Sequence, residues 1–547
     1  MHDPTLLILV LIPLVGSLGV FALPESSPGT AKLAKQVSLG VSLIVAVYAV
    51  VVLFRFDTGR GADRFQYMFS VNWIKAFGAH IAFGADGIAL VLVTMAVLLV
   101  PAVILASWNS FDSRSGAEEE DPAVERQSRV RARSRGATRA VAPRRKRSVR
   151  NYFGLILLLE FFMVGVFTAT DVFLFYVFFE AMLIPMYFII GSFGGPRRQY
   201  AAMKFFLYSL AGGLLMLASV IGLYITSPTK TFSITTLIAH PLPNDTTQKW
   251  LFLGFFIAFA IKAPLIPFHT WLPDAGAEAP AGGAALLVGV LDKVGTFGFL
   301  RYCLPLFPDA SRYFAVPILV LSVIGILYAA FLAIGQRDMK RLVAYTSVAH
   351  FGFIGLGIFA FTTQGGTGAV LYMVNHGFST GALFIVVGLL IARGKSRNVD
   401  DYGGAAKVTP ILAGLFLLTG LSALALPGMS TFVSEFLVLV GTFTRYKGFA
   451  IVATTGIILA AIYVLYLYQR TFQGPTAERV SKFRDLNARE IFSVAPLIAI
   501  IIFLGVYPKP VIDVINPAVR ATLHNVHKTD PAPKLGESGS KTGANGK

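Results

Sequence analysis

Cysteine is almost absent from this sequence, and charge is thin. A single cysteine, Cys303, stands among 547 residues. One thiol excludes an intrachain disulfide and any cysteine-held zinc or iron–sulfur centre. Electron transfer through the chain itself is therefore not expected. Charged residues make up only 14%, where soluble domains carry about 25%. The length alone would suit about three or four soluble domains, but 55% apolar residues exclude that reading. Mean hydropathy is +0.68. Acidic side chains are the scarcer sign, 29 against 47 Lys and Arg, a net +18. In a membrane protein such an excess sets topology before it suggests nucleic acid.

What is present is apolar runs of membrane length. About 20 apolar residues cross a bilayer as a helix. The pattern predicts fourteen spans: 5–22, 36–54, 84–107, 152–169, 172–192, 202–225, 250–271, 281–303, 314–335, 341–361, 368–391, 409–441, 449–471 and 491–508. The chain is thus expected to be all-α and polytopic. The first span has no basic segment before it, so it reads as a membrane helix and not as a cleaved signal. Gly and Pro interrupt the seventh, eighth and twelfth spans, and the twelfth is too long for one straight crossing. An even number of crossings leaves both termini on one side. The opposite side then receives Lys32 and Lys35, the 108–150 loop, Arg197 and Arg198, Arg337/Lys340/Arg341, Arg393/Lys395/Arg397 and Arg479/Lys482/Arg484/Arg489. That excess of Lys and Arg predicts a cytoplasmic 111–150 loop and extracytoplasmic termini.

The 111–150 segment differs in kind. An acidic patch, Glu118 to Asp121, precedes a dense arginine run without apolar periodicity. It is expected to be disordered. Binding to anionic lipid or a partner is one reading; the other is a tolerated insertion that reinforces orientation. The tail from about 526 to 547 is also expected to be disordered.

Ionisable residues inside the spans are the informative ones, because a charge in hydrocarbon costs about 2.5–3.5 kcal/mol even on insertion scales. They are Glu180, Lys204, Lys262, Lys293, His350, His376 and Glu435. Lys204 and Lys293 lie near enough to helix ends to snorkel instead. The two histidines could be neutral packing residues, and Asp171 reads as a helix cap. Glu160 has no evident partner. Glu180, Lys262 and Glu435 lie mid-span and need partners, water or a change of protonation. Burial brings Glu and Lys closer to neutrality in general, so the chemistry on offer is proton handling. A Glu–Lys pair adds a lever, since separating the two charges favours moving a proton.

Two of these charges accompany broken helices. Pro264 follows Lys262 by two residues, and Pro427-Gly428 stands before Glu435. Proline removes an intrahelical hydrogen bond, and the freed carbonyls at membrane depth need polar partners. Two interrupted helices five spans apart suggest repeated transporter halves, spans 4–8 and 9–13, with sites near the midplane. An odd number of helices per half makes the halves inverted. The expected organisation is an N-terminal three-helix region (1–110), the charged loop (111–150), a first repeat (151–305), a second inverted repeat (306–475), and a C-terminal helix with a polar tail (476–547).

Five ordered segments carry a resemblance: FYVFFEAMLIPMYFIIG, KAPLIPFHTWLPDAGAEAP, GQRDMKRLVAYTSVAHFGF, NHGFSTGALF and LPGMSTFVSEFLVL. They closely resemble the antiporter-like membrane subunits of proton-pumping NADH:quinone oxidoreductase, respiratory complex I, over roughly residues 150–475. Glu435, where sibling subunits and cation/proton antiporters usually carry Lys, resembles the M-type branch. The resemblance implies a bacterial plasma-membrane subunit that translocates protons while redox chemistry proceeds in other subunits. Flavin and iron–sulfur clusters would belong to those partners, and L- and N-type subunits would flank this one. It implies that Glu180 pairs with Lys262, that Lys204 modulates the pair, that Lys293, His350 and His376 relay protons, and that Glu435 is the outlet residue.

The sequence departs from the family at three places. Gly276 stands where His is usual, so the resemblance carries no proton-entry role to that position. Asp292 replaces a common Leu beside Lys293. The 111–150 insertion is the third. Three other functions compete. A secondary cation/proton antiporter subunit is disfavoured by Glu435. A haem anchor would use His350 and His376 as axial ligands and would leave the broken helices unexplained. A structural scaffold would have no use for costly interior charges.

Overall fold

A computed structural model describes residues 3–24, 29–59, 63–112 and 148–532. The expected disorder of the 111–150 loop lies almost wholly outside these residues, whereas the first part of the tail, 526–532, is described and bound to the helices, through Arg312 to the Val526 carbonyl at 3.2 Å and Thr363 N–H to Asp530 at 2.7 Å. Among the described residues, twelve helices are long and apolar enough to cross a membrane. The predicted spans absent from that set are 250–271 and 409–441, and both are broken helices.

The helices are α1 (Thr5–Ala22), α2 (Thr30–Phe54), α3 (Gly87–Ala106), α4 (Val149–Thr168), α5 (Val172–Phe193) and α6 (Arg198–Thr226). Then follow α7 (Asp245–Lys262), α8 (Trp271–Glu278), α9 (Ala281–Leu306), α10 (Pro308–Ile334), α11 (Met339–Phe359) and α12 (Thr363–Gly394). The set closes with α13 (Pro410–Ala423), α14 (Ser430–Arg445), α15 (Lys447–Phe472), α16 (Ala488–Val506) and α17 (Lys509–Asn525).

Helix dominates as expected, with two additions. Strands β1 (Gln66–Ile74) and β2 (Ala79–Ala85) form an antiparallel hairpin. Its turn ends at Gly78, whose φ of +62° favours glycine. The hairpin is stitched to the helices by backbone bonds, Asp3 N–H to the Met68 carbonyl at 3.0 Å and Thr170 N–H to the Ala82 carbonyl at 3.0 Å. Asp171 caps α5 as predicted, accepting from Phe173 and Leu174 N–H at 2.9 Å each, and it also accepts from His80 N–H. The amphipathic helix α17 is the second addition. It buries Ile515, Ala518, Val519 and Leu523 and packs on α3 and α12. Too polar on one face to span, it escapes a search for continuous apolar runs.

Burial separates interior helices from peripheral ones. The central stretch of α9 is wholly enclosed by protein, while those of α1 and α2 are 33% buried. Helices α3, α11 and α12 are nearly as enclosed as α9. The exposed faces of the outer helices remain apolar, as a lipid-facing surface requires. Helix α12 is the hub, touching α3, α9, α11, α13, α14, α16 and α17. Glycine lets these helices approach closely. A Cβ on Gly295 of α9 would meet the Phe259 carbonyl oxygen at 2.4 Å and the Ala263 nitrogen at 2.6 Å.

Both breaks have local causes. After Lys262, Pro264 and Pro267 deprive α7 of donors, and the chain unwinds until Trp271. The freed carbonyls are recaptured: Leu265 N–H bonds the Ala260 carbonyl at 2.9 Å, and the Trp271 indole N–H bonds the Ile261 carbonyl at 2.8 Å. The second break lies between α13 and α14, around Pro427 and Gly428, the latter at φ +92°. Thr431 donates its hydroxyl to the Ser422 carbonyl and Asn375 its amide to the Ser430 carbonyl. Helix α9 stays continuous but contains two π-helical turns, Leu287–Leu291 and Phe299–Cys303.

Candidate functional site

The site is a file of ionisable side chains running between the two breaks. Its first member, Glu180, sits on α5 just before a bend at Met182. It is only half-buried, so it lies at the flank of the molecule and not in the centre of the core. One carboxylate oxygen rests where a Cβ on Gly213 of α6 would stand, 1.6 Å away. Only glycine leaves that space. Lys262 is 1% exposed at the last turn of α7, where the free carbonyl end of a helix favours a cation. Its ammonium stands 4.5 Å from the centroid of Phe179, the neighbour of Glu180. Glu180 and Lys262 are within electrostatic reach. Yet Lys262 Nζ and Glu180 Oε1 are both buried without a hydrogen-bond partner. The expected pair is adjacent and open.

Next come Asp292 and Lys293, both with no exposed surface. Lys293 does not snorkel. Its Nζ lies 2.6 Å from His376 Nδ1 on α12 and also bonds the Val288 carbonyl, inside the first π turn. His376 and His350 meet edge to face with centroids 5.1 Å apart. His350 in turn lies 5.7 Å from the Tyr372 ring. The Tyr372 hydroxyl donates to Glu435 at 2.8 Å. Direct contact between the two imidazoles leaves no slot for a planar macrocycle, so the residues present do not fit the haem reading.

Lys204 is placed elsewhere. It pairs with Asp274 at 2.7 Å, and the other oxygen of Asp274 accepts from Arg341 at 2.5 Å. Asp274 thereby ties α8 to α6 and α11. Burial pushes its carboxyl up, but the Lys204 ammonium and Arg341 guanidinium outweigh this and hold it below the usual carboxylate range. Gly276, two residues on, faces the Ala344 methyl, 3.2 Å from where a Cβ would sit. A side chain there would press on the Ala344 methyl of α11. Glu160 is fully buried, with neither oxygen hydrogen-bonded.

Tyr372, Asn375 and Asp274 were not singled out by the sequence reading. Tyr372 was detectable: it precedes His376 by four residues and so shares its helix face. Asp86 and Arg301 were also missed. They form an ion pair at 2.7 Å with both side chains 1% exposed. Asp86 also caps α3 through Ala89 N–H at 2.9 Å.

A polytopic helical bundle with two broken helices and a buried file of Glu, Lys and His defines a class of ion-translocating membrane protein. The chain belongs to the NADH:quinone oxidoreductase/Mrp antiporter transmembrane family, whose model matches residues 169–460. Among its relatives, NADH-quinone oxidoreductase subunit M of Mycobacterium tuberculosis (strain H37Rv) is 48% identical over 554 residues, covering 99% of this chain and 98% of the relative. Subunit M of Rickettsia prowazekii is 37% identical over 95% of this chain and 99% of its own length. A chain of respiratory complex I from Thermus thermophilus with bound NADH superposes with a TM-score of 0.81 at 30% identity, over 95% of this chain and 99% of that one. A chain of the Mrp complex from Dietzia sp. DQ12-45-1b shares the fold, with a TM-score of 0.78 at 19% identity. The resemblance read from the five motifs is thus borne out.

Proposed function

We propose that this chain is the M-type proton-translocating subunit of an NADH-quinone oxidoreductase. The observation that carries the reading is the file itself: Glu180 beside Lys262, and then Lys293, His376, His350, Tyr372 and Glu435 in the succession of contacts described above. Subunit M relatives at 48% and 37% identity over nearly the whole chain support it. In this reading Lys262 and Glu180 are drawn together or apart by charges in a neighbouring subunit, which the half-buried flank position of Glu180 favours. When Glu180 withdraws, Lys262 loses its counter-charge and passes its proton inward. His376 accepts a proton from Lys293 across their 2.6 Å contact. His350 carries it to Glu435, beside the second break. Lys204 acts from a distance, through the position in which Asp274 holds it.

The two broken helices would mark equivalent places in two inverted halves, 151–305 and 306–475. The hairpin end of the bundle, which holds both Asp3 and Asp530 through Met68 and Thr363, would face the extracytoplasmic side. The opposite, arginine-rich end would face the cytoplasm of a bacterium. L- and N-type subunits would flank the chain, and flavin and iron–sulfur clusters would reside in other partners. A secondary cation/proton antiporter is the competing function. The test is NADH-driven proton uptake and NADH oxidation in inside-out vesicles carrying Glu180→Gln. A strong fall in both, with the complex assembled, supports the coupled reading. Normal values for both, with loss of NADH-independent cation/proton exchange, support the antiporter.

A further inference from the structure

The file has a gap that its Glu, Lys and His members do not close. Lys262 lies on α7 and Lys293 on α9, and Lys293 points away from Lys262. Its ammonium is engaged by His376 of α12, and Thr296, one turn on, touches Met373 of the same helix at 2.7 Å. The face of α9 that carries Lys293 is therefore the α12 face. The face that carries Gly295 is different. It lies directly on the α7 backbone, against Phe259 and Ala263, at the residue after Lys262. Asp292 precedes Gly295 by three residues and shares its face. Neighbours on a helix diverge by about 100°, so Asp292 and Lys293 look toward different helices. Asp292 is within electrostatic reach of both lysines.

Asp292 also lacks what a structural acid has. It is fully enclosed, and neither carboxyl oxygen has a hydrogen-bond partner. Asp86, the comparably buried acid of α3, is by contrast paired with Arg301 and serves as a cap. A buried, uncapped, unbonded acid is expensive to keep. It stands where the first π-helical turn of α9 ends, and such turns are frequent at functional sites.

We propose that Asp292 is a proton-carrying residue that joins Lys262 to Lys293, so that the two halves of the file are linked through a carboxyl group. The inference rests on the proton-translocating reading above and adds a residue to it. In the forward step the protonated Asp292 carboxyl gives its proton to the neutral Lys293 amine, leaving a carboxylate beside an ammonium. The Lys262 ammonium then gives its proton to the Asp292 carboxylate, leaving a neutral Lys262 amine and a restored carboxylic acid. One proton has moved from Lys262 to Lys293, and no other reactant is consumed. The groups facing Asp292 are Lys262 on α7, with Glu180 of α5 behind it, and Lys293 on its own helix, with His376 of α12 behind that.

The test uses the assembled complex in inside-out vesicles, with Asp292→Asn, Asp292→Leu and Asp292→Glu beside Glu180→Gln. Asp292→Asn and Asp292→Leu are expected to lower NADH-driven proton uptake by about tenfold, a conservative part of what a positioned proton-transfer group supplies. Asp292→Glu should retain most of it. Infrared difference spectra of the unmodified complex during turnover should contain a protonated-carboxyl C=O band that D292N and D292L lack. Should neither variant assemble, D292E decides: a band that shifts with the longer side chain supports the proposal, and an unmoved one overturns it. Unimpaired pumping by D292N or D292L, with Glu180→Gln inactive, overturns the role of Asp292 and leaves the proton-translocating reading standing. Unimpaired pumping by Glu180→Gln as well overturns both.

Discussion

Asp274→Asn tests the clamp on the first broken helix. Asp274 is the acid shared by Lys204 and Arg341, at 2.7 and 2.5 Å, with all three side chains between 14 and 23% exposed. A hydrogen bond to a charged group is worth about 1.5–3 kcal/mol. Two are lost in the variant, and two cations are left facing a neutral amide. Partial exposure places the total near the low end, about 3 kcal/mol, or roughly two decades in the equilibrium between held and released α8. The assay is hydrogen exchange of the peptide covering residues 263–280 in the assembled complex. Exchange through local opening should rise about a hundredfold in the variant, following that equilibrium. The pH dependence has a definite sign. Because the folded carboxyl is held below its ordinary value, the clamp contributes in full above about pH 3.9 and is lost only as pH falls through the depressed value. The increment caused by D274N should therefore be equal at pH 6 and pH 8, once intrinsic exchange is corrected for. An unchanged exchange rate, or an increment present only at the higher pH, would refute the clamp.

Three further outcomes are expected. Gly295→Val should abolish assembly, because its Cβ would stand 2.4 Å from a backbone oxygen of α7 that cannot step aside; immunodetection of the complex in membranes reads this. Tyr372→Phe removes the hydroxyl that donates to Glu435 at 2.8 Å, so turnover of the assembled complex should fall by about tenfold, the equivalent of one charge-assisted bond; turnover within twofold of the unmodified complex would exclude Tyr372 from the file. Asp86→Ala leaves Arg301 buried without its partner, a loss of about 3–5 kcal/mol. It should reduce the amount of complex while sparing the turnover of whatever assembles, measured as NADH oxidation per unit of complex.

The sequence alone determined the membrane class, the positions of twelve of the fourteen predicted spans, the two breaks and seven of the ionisable residues. These are local properties. Hydropathy is a sum along a short window, a proline removes a donor from its own turn, and a charge in an apolar run is costly wherever the helix sits. The β-hairpin and α17 escaped because neither is a continuous apolar run. Partnership is another matter. Lys204 was expected to modulate the Glu180–Lys262 pair or to snorkel, and only the fold shows that its ammonium is held by Asp274, seventy positions away. Lys293 was allowed to snorkel, yet it is enclosed against His376. Glu435 found its donor in Tyr372, a residue with no charge to draw attention to it. Which face a helix turns to its neighbour depends on close approaches such as Gly295 on α7 and on the extra residue of a π turn. Those are set by packing between segments distant in the chain. That is why the tertiary structure alone could separate Asp292 from Lys293 and turn one toward α7 and the other toward α12.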